Sequence, residues 1–113
     1  MQNAFRIGES HQVEPSLNSV TGPAGAIRLE PKVMQVLVCL AENAGDVVSK
    51  ERLMRSVWPD AFVGDDVLTR CVSELRRVFG DDAKEPRFIQ TIPKTGYRLI
   101  AHVSNGAEEN VAV

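Results

Sequence analysis

The sequence predicts an α+β domain in which four short strands come first, three helices follow and a β-hairpin closes the fold. Three observations lead to this fold class. Residues 4–29 alternate short apolar stretches with glycine and proline, residues 31–79 repeat apolar residues at spacings of three and four, and residues 87–101 form two further apolar stretches around one turn. With 113 residues, of which 43% are hydrophobic and 25% charged, the chain can bury one core. We therefore expect one domain over residues 1–103.

The first part of the chain predicts a small antiparallel sheet. Its apolar stretches are separated by Gly8, Pro15 and the run from Gly22 to Gly25, all of which favour turns. The expected strands lie within residues 4–29, at 4–7, 12–14, 17–21 and 26–29.

The spacing of the apolar residues changes to that of a helix at Pro31, a residue that suits the first position of a helix. Apolar residues then recur as far as Ala44, and Gly45 offers a C-terminal stop, so the first helix is predicted over residues 31–44. Ser49 can cap a second helix that reaches Val57, because a proline follows two residues later.

The third helix is predicted over residues 66–79. The carboxylates of Asp65 and Asp66 suit its N-terminus, both as caps and as partners of the helix dipole. Gly80 marks its end. Its buried stripe is expected to comprise Leu68, Val72, Leu75 and Phe79.

A β-hairpin is predicted over residues 87–101. Its strands, 87–92 and 97–100, flank the turn Pro93-Lys94-Thr95-Gly96, in which Gly96 is assigned a positive φ. Tyr97 is expected to anchor the hairpin to the core. Residues 104–113 are polar and are expected to form a flexible tail or the start of a linker.

The residue types that catalyse reactions or bind metals are too few and too scattered to form a site. His11, His102, Cys39 and Cys71 show no metal-binding spacing, and no glycine-rich phosphate loop precedes a helix. We therefore predict no enzymatic activity, no metal and no cofactor. The chain has no apolar run long enough to span a bilayer and no signal-peptide start, which predicts a cytoplasmic location with reduced thiols.

The third helix has a polar outward side that is rich in arginine. Opposite the buried stripe, helical geometry places Asp66, Thr69, Arg70, Ser73, Glu74, Arg76 and Arg77. With Lys94 and Arg98 of the hairpin, this surface carries five cations against two carboxylates, a net +3 on a chain of −2, and Lys50, Arg52 and Arg55 of the second helix extend it. A three-helix unit followed at once by a hairpin is the layout of a winged helix-turn-helix, whose third helix enters the major groove of DNA.

Five motifs, in order along the chain, carry a resemblance to a known family. They are Leu29 to Lys32, Gly45 to Leu53, Val57 to Asp60, Leu75 to Asp82 and Ile89 to Leu99. On these motifs, residues 26–103 resemble the winged-helix effector domain of the OmpR/PhoB class of bacterial transcription regulators, and most closely its CadC/ToxR-like branch.

The resemblance implies sequence-specific binding to double-stranded DNA, often with a second protomer on direct repeats. The recognition helix 66–79 would lie in the major groove and the wing 93–98 on the minor groove or the backbone. Loop 58–65 would contact RNA polymerase, while Trp58 is expected to pack on the core beneath it. In the CadC/ToxR-like branch a transmembrane helix and a sensor domain commonly follow, so one interpretation of residues 104–113 is the linker of a membrane-anchored regulator.

The predicted site residues divide by role. Base contacts are assigned to Thr69, Arg70, Ser73 and Glu74, phosphate contacts to Arg76, Arg77, Lys50 and Arg52, and wing contacts to Lys94, Thr95 and Arg98. Two departures from the family bear on these roles. Pro93 and Lys94 stand where many two-component members carry arginine and glycine, and Glu74 stands where some carry arginine. A carboxylate at position 74 can accept from cytosine N4 or orient Arg70.

A second interpretation comes from another class of protein. In it the winged helix is a protein-interaction module, and the third helix binds an acidic partner. The slightly acidic net charge of the chain weighs against a nucleic-acid partner, whereas a hairpin directly behind an arginine-rich helix favours one.

Overall fold

The computed structural model describes residues 3–105, which fold into two antiparallel sheets and three helices. The N-terminal strands are β1 (Phe5–Ile7), β2 (His11–Glu14), β3 (Ser19–Gly22) and β4 (Gly25–Arg28). The helices are α1 (Pro31–Glu42), α2 (Lys50–Val57) and α3 (Asp65–Phe79). The remaining strands are β5 (Val47–Ser49), β6 (Ile89–Ile92), β7 (Gly96–Leu99) and β8 (Val103–Asn105). The predicted fold class, an α+β winged helix-turn-helix, is confirmed.

The N-terminal sheet has five strands rather than the four that were predicted. Its order is β4-β3-β2-β1-β8, and β8 pairs with β1 so that Val103 lies opposite Ile7. The prediction of a flexible tail is therefore wrong for residues 104 and 105, whose strand depends on a partner at the other end of the chain. The rest of that predicted tail, residues 106–113, lies outside the described residues.

The third predicted strand, residues 17–21, begins later than expected. Residues Pro15–Leu17 form a 3-10 turn, which Asn18 closes with a left-handed φ of 50° and an N–H that donates to the Pro15 carbonyl at 3.1 Å. Proline fixes φ near the helical value, so the chain turns before it can extend into β3.

Helix α1 lies at the centre of the core, as its apolar circumference predicts. Its buried residues are Val33, Met34, Val36, Leu37, Cys39, Leu40 and Ala41. The helix ends at Glu42 and not at Ala44, because the Asn43 side chain turns back to donate to the Cys39 carbonyl at 2.8 Å. The expected stop at Gly45 still ends the turn, with a φ of 86°.

The caps of the next two helices differ from each other. The prediction for α2 is confirmed, since Ser49 Oγ accepts from the Arg52 N–H at 3.1 Å. The prediction for α3 is wrong in detail, because Gly64 occupies the cap position and neither Asp65 nor Asp66 makes a side-chain cap bond. Both carboxylates instead lie in the first turn, where they face the positive end of the helix dipole.

The wing is a three-stranded sheet of order β5-β7-β6, and β5 was not predicted. Its hairpin strands are shorter than expected, and the left-handed turn residue is Lys94, with a φ of 64°, rather than Gly96. Gly96 is required for a different reason, because a Cβ there would overlap the backbone of Val48 in the adjacent strand. Tyr97 is buried in the core, as predicted.

The loop between α2 and α3 has one buried and one exposed end. Trp58 is partly buried and packs against the core, which confirms the expectation for it, whereas the side chain of Phe62 is fully exposed. Within residues 3–105, no helix is long and apolar enough to cross a membrane.

An aromatic cluster joins the N-terminal sheet to the C-terminal end of α3. The ring of His11 is 7% exposed and contacts Phe79 and Phe88 edge-on, with ring centroids 4.9 and 5.5 Å apart. Its Nδ1 lies 2.6 Å from Ser10 Oγ. Burial lowers the pKa of His11 below its ordinary value, because a charged imidazolium in this cluster would lose its hydration.

We expect this histidine to make stability depend on pH. Since its pKa is lower in the folded than in the unfolded chain, the free energy of unfolding should fall as the pH drops below about 6.5 toward the folded-state pKa. Urea unfolding between pH 7.5 and 5.5 should show this slope in the wild type and a flatter one in His11→Phe. The exposed His102 offers a matched control, since His102→Gln should keep the wild-type slope. Equal slopes for the wild type and His11→Phe would contradict the assignment.

Candidate nucleic-acid interface

Helix α3 divides into a buried stripe and an exposed side. All four residues of the predicted stripe are buried, together with Cys71 and Val78, and the helix packs against α1 and α2. The opposite side, here called the α3 face, comprises Thr69, Arg70, Ser73, Glu74 and Arg77. Of these only Glu74 is partly covered, so the predicted base-contact residues do share one accessible surface.

Three cations of this region already face carboxylates. Arg70 Nη1 lies 3.5 Å from Glu30 Oε1, and Arg77 Nη2 lies 2.8 Å from Glu74 Oε2. Lys50 Nζ lies 3.7 Å from Asp65 Oδ2. The sequence-based charge of +3 omitted Glu30 and Asp65, so it overestimates the positive charge of the surface.

These ion pairs determine the charge state of Glu74. The hydrogen bond from Arg77, and then its charge, lower the pKa of the Glu74 carboxyl, and the same contact raises the pKa of Arg77. Glu74 is therefore an ionised acceptor at neutral pH. Burial raises the pKa of the nearby Cys71 thiol, which is uncharged and faces the core.

Two polar residues assigned to DNA contact also have local partners. Thr69 Oγ1 donates to the Asp65 carbonyl at 3.0 Å, which leaves its oxygen lone pairs toward solvent. Arg52 Nη2 donates to Asn43 Oδ1 at 2.9 Å, so α2 and the end of α1 hold this guanidinium at the surface.

The tip of the wing is a tight turn that presents Lys94 and Thr95 to solvent. The Thr95 N–H donates to the Ile92 carbonyl at 3.0 Å, and the left-handed φ of Lys94 matches the third residue of a type II turn. The Lys50 N–H donates to the Thr95 carbonyl at 3.0 Å. The wing tip is therefore bonded directly to the first residue of α2.

Arg98 is separated from the other predicted cations of the wing. It lies between the buried Tyr97 and Leu99, so its side chain points to the opposite face of the wing sheet. There it is partly buried, opposite Gln90 on β6. Arg98 therefore lies within β7 on the sheet face away from Tyr97 and Leu99, and not at the wing tip with Lys94.

Arg76 is turned toward the wing rather than away from the domain. Its Nη2 donates to the Ile89 carbonyl at 3.0 Å and to Thr91 Oγ1 at 2.8 Å. Asp81 was not among the predicted site residues, yet its carboxylate accepts the N–H groups of residues 87–89 at 2.7, 3.3 and 2.9 Å. The sequence signal that could have identified Asp81 is its position directly after Gly80, which ends α3. A carboxylate at that position can reach unpaired N–H groups of the next segment.

The order of elements and the exposed α3 face beside a wing define a winged helix-turn-helix domain. The family model described as "Transcriptional regulatory protein, C terminal" matches residues 24–99. The chain belongs to this family, the OmpR/PhoB type of transcriptional regulator domain.

Similar proteins support the same placement. The chain is 37% identical to the transcriptional activator CadC of Escherichia coli over 109 residues, which are 96% of this chain and 21% of that protein. It is 47% identical to the transcriptional regulator HilA of Salmonella typhimurium over 73 residues, which are 65% of this chain and 13% of that protein. The chain therefore spans only about a fifth or less of the length of these relatives.

Among solved structures, the DNA-binding domain of E. coli CadC superposes with a TM-score of 0.77 at 34% identity. The match covers 91% of this chain and 97% of that one. Among residues 3–105, no group of three or more histidine, cysteine or acidic side chains could hold a metal ion.

Lys94 adopts a left-handed backbone conformation, which glycine accepts far more readily than lysine. A left-handed φ costs a non-glycine residue about 1 kcal/mol. Lys94→Gly should therefore raise the free energy of unfolding by about 0.5–1 kcal/mol, measured by urea denaturation. Lys94→Ala removes the same charge but keeps the strain, so its stability should stay within about 0.5 kcal/mol of the wild type. A destabilised Lys94→Gly variant would contradict the strained geometry.

Proposed function

We propose that this chain is the sequence-specific DNA-binding domain of a bacterial transcriptional regulator and that it catalyses no reaction. One observation carries the proposal: α3 exposes a row of hydrogen-bonding side chains beside a wing whose tip carries Lys94 in a strained conformation. Backbone strain at an exposed cationic tip is typical of a functional position. The relatives, named as transcriptional regulators, support the same role.

In the proposed complex α3 lies in the major groove. The side chain of Arg70 is 57% exposed, so its guanidinium can leave Glu30 and make two hydrogen bonds to guanine. Thr69 and Ser73 supply hydroxyls to neighbouring bases. Glu74 can accept from cytosine N4 once Arg77 has moved to a phosphate, because its carboxylate is ionised.

The remaining cations supply affinity that does not depend on sequence. We assign Arg77, Lys50 and Arg52 to phosphates of the duplex, and Lys94 with Thr95 to the minor groove or backbone beside it. Arg98, on the other face of the wing sheet, is proposed to contribute only to the surrounding electrostatic potential. Arg76 is omitted from the phosphate contacts because its guanidinium already binds β6.

Two protein partners belong to the same proposal. A second protomer on direct repeats would add affinity to a domain whose surface is only weakly positive. Loop 58–65 would contact RNA polymerase, and Phe62, whose side chain is fully exposed, is the residue proposed to meet it. Because duplex DNA is the partner, we place the domain in the cytoplasm. The interaction-module alternative gains no support from the relatives.

Binding should weaken with salt. If Arg77, Lys50, Arg52 and Lys94 each neutralise one phosphate, log K against log salt should have a slope of roughly −3 to −4 per protomer. The slope can be measured by fluorescence anisotropy with a duplex selected from random sequences, over a roughly fourfold range of salt from about 50 to about 200 mM. Binding that does not respond to salt, or binding to polyglutamate in place of DNA, would favour the interaction module.

Base contacts and wing contacts should differ in their effect on discrimination. Arg70→Ala should lose about 1–3 kcal/mol of preference for the selected duplex over random DNA, because the bidentate contact is lost. Lys94→Ala should weaken binding to both duplexes alike. Glu30→Gln is a matched control that frees Arg70 without removing it, and it should retain discrimination. If Arg70→Ala and Lys94→Ala lowered both affinities equally, the base-contact role would be wrong.

A further inference from the structure

The C-terminal end of α3 and the start of the wing are joined by two side chains. Gly80 has a left-handed φ of 65°, and the Asp81 N–H donates to the Arg76 carbonyl at 2.8 Å, which closes the helix in a Schellman motif. This motif links Arg76 and Asp81 through the backbone. Both side chains then bind the same segment, β6 and the residues just before it.

The hydrogen bonds of Arg76 and Asp81 lie along β6, the free edge of the wing sheet. The Ile100 N–H donates to the Phe88 carbonyl at 2.9 Å, so in the alternating antiparallel pattern the N–H and C=O of Ile89 point away from β7. Asp81 Oδ2 accepts that N–H at 2.9 Å, and Arg76 Nη2 donates to that C=O at 3.0 Å. A carboxylate and a guanidinium thus take the place of a missing neighbouring strand.

We propose that Arg76 and Asp81 are positioning residues that fix the wing relative to the recognition helix. The inference rests on the proposed DNA-binding function and refines it, because it gives Arg76 a role other than phosphate contact. The two residues bind both backbone polar groups of Ile89, and Arg76 also binds Thr91 Oγ1, so β6 can neither slide along α3 nor lift away from it. The wing tip and the α3 face then meet the duplex with one fixed spacing.

A conservative substitution separates this role from phosphate contact. Lysine keeps the charge, which suffices for a phosphate, but both bonds of Arg76 come from Nη2, and the lysine side chain is one bond too short to bring its ammonium to that position. We expect Arg76→Lys to weaken binding to the selected duplex about fivefold to tenfold, which is what a lost hydrogen bond of this kind costs. The neighbouring, exposed Arg77 is the matched control, and Arg77→Lys should change affinity by less than about twofold.

Salt dependence and a double-mutant cycle supply two further readouts. In the Arg76→Met background, Lys94→Ala should no longer make the slope of log K against log salt shallower, whereas in the Arg77→Met background it should still do so by about 0.9. In the Arg76→Lys background the effect of Lys94→Ala should shrink to less than about twofold, because a displaced wing no longer reaches the duplex. An Arg76→Lys variant that binds like the wild type, a slope that Lys94→Ala still changes in the Arg76→Met background, or an undiminished effect of Lys94→Ala on affinity would overturn the proposal.

Amide hydrogen exchange tests the positioning without DNA. In the free domain, exchange at the Ile89 N–H should accelerate at least about tenfold in Asp81→Asn and in Arg76→Lys, and should not change in Arg77→Lys. Circular dichroism confirms that each variant is folded, and two variants on different sides of the strand keep the test valid if one fails to fold. A wild type that binds no duplex would refute the proposed function, whereas unchanged exchange in folded variants would refute the positioning role alone.

Discussion

The packing of Leu68, Val72 and Leu75 beneath α3 determines which side of that helix faces solvent. These side chains are essentially inaccessible, and burying each contributes about 1.5–3 kcal/mol. The helix therefore cannot rotate about its axis without exposing them. A rotation of one residue, 100°, would also move the arginines away from their surface. The interface thus depends on the core: the same 15-residue helix supplies both, and both sheets contact that helix near its C-terminal end.

Much of the fold follows from short-range sequence signals. The ends of the three helices were predicted within about two residues, because they depend on local signals. These signals are the spacing of apolar residues, the cap at Ser49 and the stops at Gly45 and Gly80. Strands β5 and β8 were missed because three-residue strands carry almost no pattern and depend on partners far along the chain. The turn was misassigned for a related reason: glycine at position 96 is required by a neighbouring backbone and not by its own φ.

The candidate site was less predictable than the fold. Helical periodicity correctly places Thr69, Arg70, Ser73 and Arg77 on one exposed side. It does not show that Glu30 lies beside Arg70, since 40 residues separate them in sequence. Nor does a count of charges show that Arg76 turns inward while Arg77 remains outside, because which of two adjacent arginines reaches β6 depends on where the wing docks.

The carboxylates that lie among the cations affect the selectivity of DNA binding more than its affinity. An exposed ion pair contributes little to stability, since water screens it. In the proposed complex, however, Arg70 and Lys50 move to DNA while their carboxylates remain close to a polyanion. This residual repulsion is the same on every duplex, so only a sequence that offers additional hydrogen bonds overcomes it. Weak general attraction combined with specific contacts favours discrimination over affinity.

The hydrogen bond from the Lys50 N–H to the Thr95 carbonyl uses main-chain atoms only. The contact between Gly96 and Val48 is likewise made by backbone, so neither depends on which side chains stand at positions 93–95 beyond the shape of the turn. The backbone contacts that position the wing are therefore independent of the side chains at its tip. In the proposed complex, single substitutions at the tip would change the general affinity for DNA without rebuilding the fold that carries it.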